Sequence, residues 1–111
     1  MIKMIKESLL DTEVGLIFSE VRFIENYEIT GQSPFQLIFV TAKDGIPVKV
    51  LGSFSRKSFL NILDSMGYDG KVNVEQAYEF LLSQVNQPFL SNLHTDSKDR
   101  LNISYGTFKK I

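Results

Sequence analysis

Gln36-Leu-Ile-Phe-Val-Thr-Ala-Lys-Asp-Gly-Ile-Pro-Val-Lys-Val-Leu-Gly-Ser-Phe54 decides the fold of this chain. Two runs rich in β-branched and aromatic residues flank Asp44-Gly45, a dipeptide that accepts the positive φ angles of a type I′ turn, so the stretch reads as a β-hairpin. With a two-residue turn, Leu37, Phe39 and Thr41 share a face with Val48 and Val50. Ile38, Val40 and Ala42 then lie opposite with Lys49 and Leu51. Both faces are largely apolar, so the hairpin belongs inside a larger β structure that covers it on both sides. Pro47 has no N–H to give a ladder, which places it at an open edge or a bulge.

A chain of 111 residues with 43% apolar and 12% aromatic side chains is expected to form one domain, residues 1–111, with a core that needs no staples. The absence of cysteine removes disulfides, thiolate metal sites and cysteine nucleophiles together, and a reducing cytoplasm is the expected setting. The first residues lack the unbroken apolar core of a signal peptide, and no run approaches the roughly 20 apolar residues of a membrane span, so no membrane partner is expected. Twelve basic and thirteen acidic side chains leave a net charge of -1. Any attraction for nucleic acid must therefore come from local arrangement of charge.

Outside the hairpin, residues 1–13 form a lead-in whose Ile2, Ile5 and Leu9 suit a helical turn or an extended arm. Val14 to Thr30 reads as a long, bent first strand with Val21, Phe23 and Tyr27 opposite Arg22 and Glu25. Gly31, Ser33 and Pro34 end it in a loop. After the hairpin, Ser53 or Ser55 caps a helix with Phe59, Ile62, Leu63 and Met66 on one stripe, closed by Gly67. Asn73, three residues before Gln76, opens a second helix with Val74, Ala77, Tyr78, Leu81 and Val85 on one side, and Pro88 prevents its continuation. Phe89 to Thr95 and Arg100 to Phe108 alternate as two strands around Asp96-Ser97-Lys98-Asp99, with Leu101, Ile103 and Tyr105 on one face.

This order predicts an α+β protein, a five-stranded OB-like β-barrel with a helical insert between strands 3 and 4. From Phe35 onward the chain also resembles a family. Gln-Leu-Ile-Phe-Val-Thr-Ala-Lys-Asp-Gly at 36–45, Ser-Arg-Lys-Ser-Phe-Leu at 55–60, Met-Gly-Tyr at 66–68 and Arg-Leu-Asn-Ile-Ser-Tyr-Gly-Thr-Phe at 100–108 are similar to small single-stranded-DNA-binding proteins of the OB type encoded by phages and other mobile elements. The likeness rests on element order and hairpin phrasing. It implies single-strand binding during replication or recombination, without catalysis. The net charge of -1 and the absence of tryptophan depart from that family's expected composition.

Catalytic and metal chemistry find little purchase. His94 is the only histidine and would have to recruit scattered carboxylates to hold a transition metal; on an alternating strand it points away from Leu93, towards solvent or a groove. No Gly-x-Ser-x-Gly elbow and no phosphate-binding glycine pattern occurs. Asp64, Asp69, Glu75 and Glu79 are spread over helix ends and faces as solvated surface. No catalytic residue, metal or cofactor is therefore assigned.

Single strands require cations that follow phosphates and flat rings that stack bases. The candidates are Arg22, Lys43, Lys49, Arg56, Lys57, Lys98 and Arg100 for phosphate, and Tyr27, Phe35 and Tyr105, with Phe108, for stacking. In an OB fold they would gather on strands 2 and 3 and the loops between strands 1 and 2 and strands 4 and 5. A rival reading is a protein-interaction module, such as a small inhibitor or replisome adaptor, favoured by the net acidity and missing tryptophan. The partner's identity, DNA against RNA, and a homo-oligomeric state stay open at this level.

Overall fold

β2 (Phe35–Lys43) and β3 (Ile46–Leu51) pair antiparallel, with Lys43 opposite Ile46 and Ile38 opposite Leu51. The structure, a computed structural model, describes residues 7–10, 12–43, 45–52, 55–70 and 73–111; Asp44 and Ser53 lie outside them. Gly45 has φ of 79° with nothing within 4 Å of a built Cβ, so its backbone conformation alone favours glycine. The two faces follow the expected alternation. Leu37, Phe39, Thr41 and Val50 are buried on one side, and Ile38 and Leu51 are buried on the other beside exposed Ala42 and Lys49. Pro47 sits opposite Ala42, whereas β3 meets its other neighbour only where Leu51 pairs with Asn102. Its missing N–H therefore faces an open edge.

β1 (Val14–Phe23) is shared between two partners. Its first residues pair with β4 (Pro88–Ser91), Ile17 pairs on both sides, and the remainder pairs with β2. The register shifts between Phe18 and Glu20, a bulge at Ser19 that bends the strand and increases the local twist. The strand ends at Phe23 rather than at Thr30, because Asn26 turns left-handed with φ of 60° and α1 (Tyr27–Thr30) follows. The Ile24 N–H donates to the Pro34 carbonyl at 2.8 Å and closes the base of this loop.

The expected final hairpin is also broken into pieces. Phe89 to Thr95 divides into β4 and β5 (Leu93–Thr95) at Asn92, whose N–H donates to Thr107 Oγ1 at 3.1 Å and whose carbonyl accepts from the Ser104 N–H at 2.9 Å. Those bonds take Asn92 out of both ladders. Arg100 to Phe108 is reduced to β6 (Leu101–Ile103), and after a turn β7 (Lys109–Lys110) pairs with β4. Tyr105 therefore falls in the turn and is exposed, off the buried face of Leu101 and Ile103.

Among the described residues these seven strands form one sheet in the order β5-β6-β3-β2-β1-β4-β7, antiparallel throughout except where β3 and β6 run parallel. β4 and β5 are separated by one residue in the chain yet pair towards opposite ends of this order. The sheet must curl to allow it, and the result is a mixed, curled half-barrel.

Two helices separate β3 from β4. α2 (Arg56–Met66) is capped by Ser55, whose hydroxyl accepts from the Ser58 N–H at 3.2 Å, and it buries Phe59, Ile62, Leu63 and Met66. α3 (Val74–Gln84) is capped by Asn73, which accepts from the N–H groups of Glu75 and Gln76, and it buries Ala77 and Leu81. Tyr78 departs from the expected stripe and is partly exposed. Leu9, in the lead-in, joins the same core, while Ile2 and Ile5 lie outside the described residues. At the centre Phe39 stacks on Phe18 at 5.0 Å and meets Phe108 at 5.4 Å, and Phe108 stacks on Phe89 at 4.9 Å.

Two substitutions test this packing. Leu81→Ala removes a fully buried side chain and is expected to cost about 2–5 kcal/mol in urea unfolding. A Cβ at Gly52 would lie 2.7 Å from Leu37 Cβ and 3.1 Å from its carbonyl oxygen, where the Gly52 N–H now donates at 2.6 Å. Gly52→Ala should therefore lower stability by about 1–3 kcal/mol, and an unchanged melting temperature would refute that close approach.

Candidate nucleic-acid interface

The antiparallel meander brings the loop after β1, the start of β2 and the end of β3 to one end of the sheet, and the parallel pairing of β6 with β3 adds the turn after β6 to that end. A bridge between Gln32 and Ser55 ties the β1–β2 loop to the start of α2. Four of the anticipated residues meet there. Lys57 Nζ stands 5.1 Å from the centre of the Tyr105 ring. Arg56 precedes it on α2 and lies close enough to Tyr27 to act on its phenol electrostatically. Burial first, then the Glu28 carboxylate that accepts from the Tyr27 hydroxyl at 3.2 Å, raise the Tyr27 pKa, and Arg56 opposes them.

Phe23 completes this end and was not anticipated. Its ring is 56% exposed and meets Tyr27 edge-on at 5.9 Å. The apolar pair Phe23-Ile24 breaks the alternation of β1, which was the available signal that one of the two could not face the core. Phe35, expected to stack a base, does not offer a face. It is 2% exposed, with Phe23 at 5.9 Å, Phe59 at 6.1 Å and Tyr78 stacked at 5.6 Å. Phe108 is likewise buried beneath Phe89. Tyr105 keeps 54% of its surface exposed.

The other candidates lie elsewhere. Arg22, on the outer face opposite Gln36, donates to Glu20 from Nε at 3.0 Å and from a terminal nitrogen at 3.3 Å. These hydrogen bonds, with a smaller attraction from Lys49, hold the Glu20 carboxyl below its usual pKa. An acidic group therefore stands between the two cations of the β1–β3 face. Lys43 flanks the hairpin turn, and Lys98 and Arg100 precede β6 on the same side of its rung with β3 as Lys43, Ile46 and Lys49, at the end away from Tyr105.

Arg100 is engaged by its own loop. The Asp96 carboxylate accepts from the backbone N–H groups of Lys98 and Arg100, from Arg100 Nε at 2.9 Å and from Asn102 Nδ2 at 3.0 Å. Led by the Arg100 backbone bond, these donors hold the Asp96 pKa at about 2.

A groove of roughly 520 Å³ opens away from the aromatic end, lined mainly by apolar residues of the outer face, among them Ile17, Val40, Ala42, Pro47, Pro88 and Ile111. The sequence reading did not foresee it. His94 is exposed as expected, with Nδ1 at 3.1 Å from Ser104 Oγ. Among the described residues no three His, Asp or Glu side chains gather as a metal site, and no helix is long and apolar enough to cross a membrane. Neither a family model nor a curated protein nor a solved structure matches the chain.

The Asp96 network sets a pH dependence. Its folded pKa lies below the ordinary 3.8, so its contribution to stability is complete above the unfolded value and is lost as pH falls from near 4 through about 2. Asp96→Asn should be less stable than the parent at pH 6, with the difference narrowing across that window in acid-unfolding curves. A difference that stays constant down to pH 2 would contradict it.

Proposed function

We propose that the curled sheet is a five-stranded OB-type barrel and that the protein binds single-stranded DNA without catalysing a reaction. The strand order supports the barrel. If β4 and β5 count as one strand interrupted at Asn92, the ladders run β1-β2-β3-β6-(β5/β4) and return to β1, with helices inserted before the interrupted strand. That order, with β7 as an addition beside β4, supports the five-stranded Greek-key arrangement of an OB fold.

The observation that carries the functional reading is the meeting of exposed Phe23 and Tyr105 and half-buried Tyr27 with Arg56 and Lys57 at one end. Flat rings beside cations are what a single strand needs, since bases stack on the rings while phosphates follow the charge. The loop between the first two strands, which supplies Tyr27, is among the elements that OB folds use for binding. Replication or recombination of a phage or mobile element is the setting that the family resemblance suggests. A second reading, a protein-interaction module, is favoured by the apolar groove beside Ile17 and Pro47, because a partner surface needs apolar area away from charge.

A labelled 30-mer oligo-dT distinguishes them. The protein should bind it at low salt and release it as salt rises. Phe23→Ala should cost about 1–3 kcal/mol with little change in salt slope, whereas Arg56→Ala should reduce the slope by about 0.7. The pair Lys98→Ala with Arg100→Ala, at the other end, should leave the slope unchanged. Absence of binding at low salt overturns the single-strand reading and leaves the interaction module.

A further inference from the structure

Resting on the single-strand reading, we infer that Lys57 and Tyr105 form an exchange site for one nucleotide, in which the ammonium leaves the ring for a phosphate as a base takes its place. Lys57 Nζ lies 5.1 Å from the Tyr105 centroid, a distance at which the cation is attracted to the ring. A base needs that aromatic surface to stack, so it cannot share the covered face with the ammonium.

The two partners differ in how they are held. Tyr105 stands on a turn fixed at both ends: the Ser104 N–H donates to the Asn92 carbonyl at 2.9 Å, and Thr107 donates from its hydroxyl to the Ser104 carbonyl at 2.7 Å. The ring therefore sits on a set platform. Lys57 is an exposed side chain in the first turn of α2, next to Arg56 and with no acidic residue in that turn. A cation at a helix N-terminus is disfavoured by the helix dipole, and a phosphate there is favoured. The long lysine stem can swing while its Cα stays in place, and a phosphate arriving with the base gives the displaced charge a better partner than the ring.

The exchange has a signature in salt dependence. Lys57→Ala removes one phosphate contact but also uncovers the ring. At low salt the variant should bind oligo-dT more weakly than the parent, with a slope of log K against log salt smaller by about 0.7. At high salt, where the phosphate contact contributes little, it should bind about two- to fivefold more tightly, because no ammonium has to be displaced. The two lines should cross. In a Tyr105→Ala background the same substitution should change the slope without a crossing, and unchanged melting temperatures would verify folding. Lines that converge without crossing, or a uniform offset, overturn the exchange while leaving single-strand binding in place. No binding by the parent protein overturns both.

Discussion

Four phenylalanine rings tie the sheet to itself. Phe18 on β1, Phe39 on β2, Phe89 on β4 and Phe108 ahead of β7 are buried and in mutual contact. They come from strands near one end of the sheet order and from a segment that has already crossed from β6 to β4. Dispersion between large buried rings requires the sheet to bend until they touch. The Ser19 bulge permits the bend on β1, and the bonding of Asn92 to Thr107 and Ser104 lets the chain pass from one edge of the sheet to the other. Flattening the sheet would draw Phe108 away from Phe39 and uncover the inner face of the β2–β3 hairpin.

That curl also distributes charge and aromatic surface. The anticipated cations do not make a continuous track. Glu20 holds Arg22 and Asp96 holds Arg100, and outside that set Lys109 pairs with Glu13 at 2.8 Å. In a chain of net charge -1, such exposed pairs add little stability but lower the field offered to a polyanion. The end built from the β1–β2 loop, α2 and the turn after β6 differs, because cations and exposed rings meet there. The apolar groove lies elsewhere on the outer face, so the features that suit a single strand and a protein partner occupy different surfaces.

Local signals were legible wherever neighbours along the chain set the geometry. The β2–β3 pairing and its faces, the open edge at Pro47, the Ser55 and Asn73 caps and the buried stripe of α2 could all be read from spacing. The first strand stops short of the expected Thr30, since the left-handed Asn26 turns the chain into a short helix over Tyr27–Thr30. The last strands were drawn too long for a related reason. Alternation from Phe89 to Thr95 continues through Asn92, and only the bonds from Asn92 to a distant turn divide it. In the candidate site, Phe35 is a stacking candidate by sequence while Phe23 is not one. Their exposures are reversed, 2% and 56%, because Phe59 and Tyr78, contributed by two later helices, pack on Phe35.

By itself, the sequence determined the β2–β3 hairpin and its alternation, the Ser55 and Asn73 caps and the buried stripe of α2, because these follow from bonds and periodicities spanning a few residues. Tertiary structure alone decided which cations are held by carboxylates, which rings keep a free face, and that Lys57 stands over Tyr105 across 47 intervening positions. Such pairings depend on the parallel approach of β6 to β3 and on the curl of the sheet. Both are set by the summed burial of residues far apart in the chain, which no local pattern encodes.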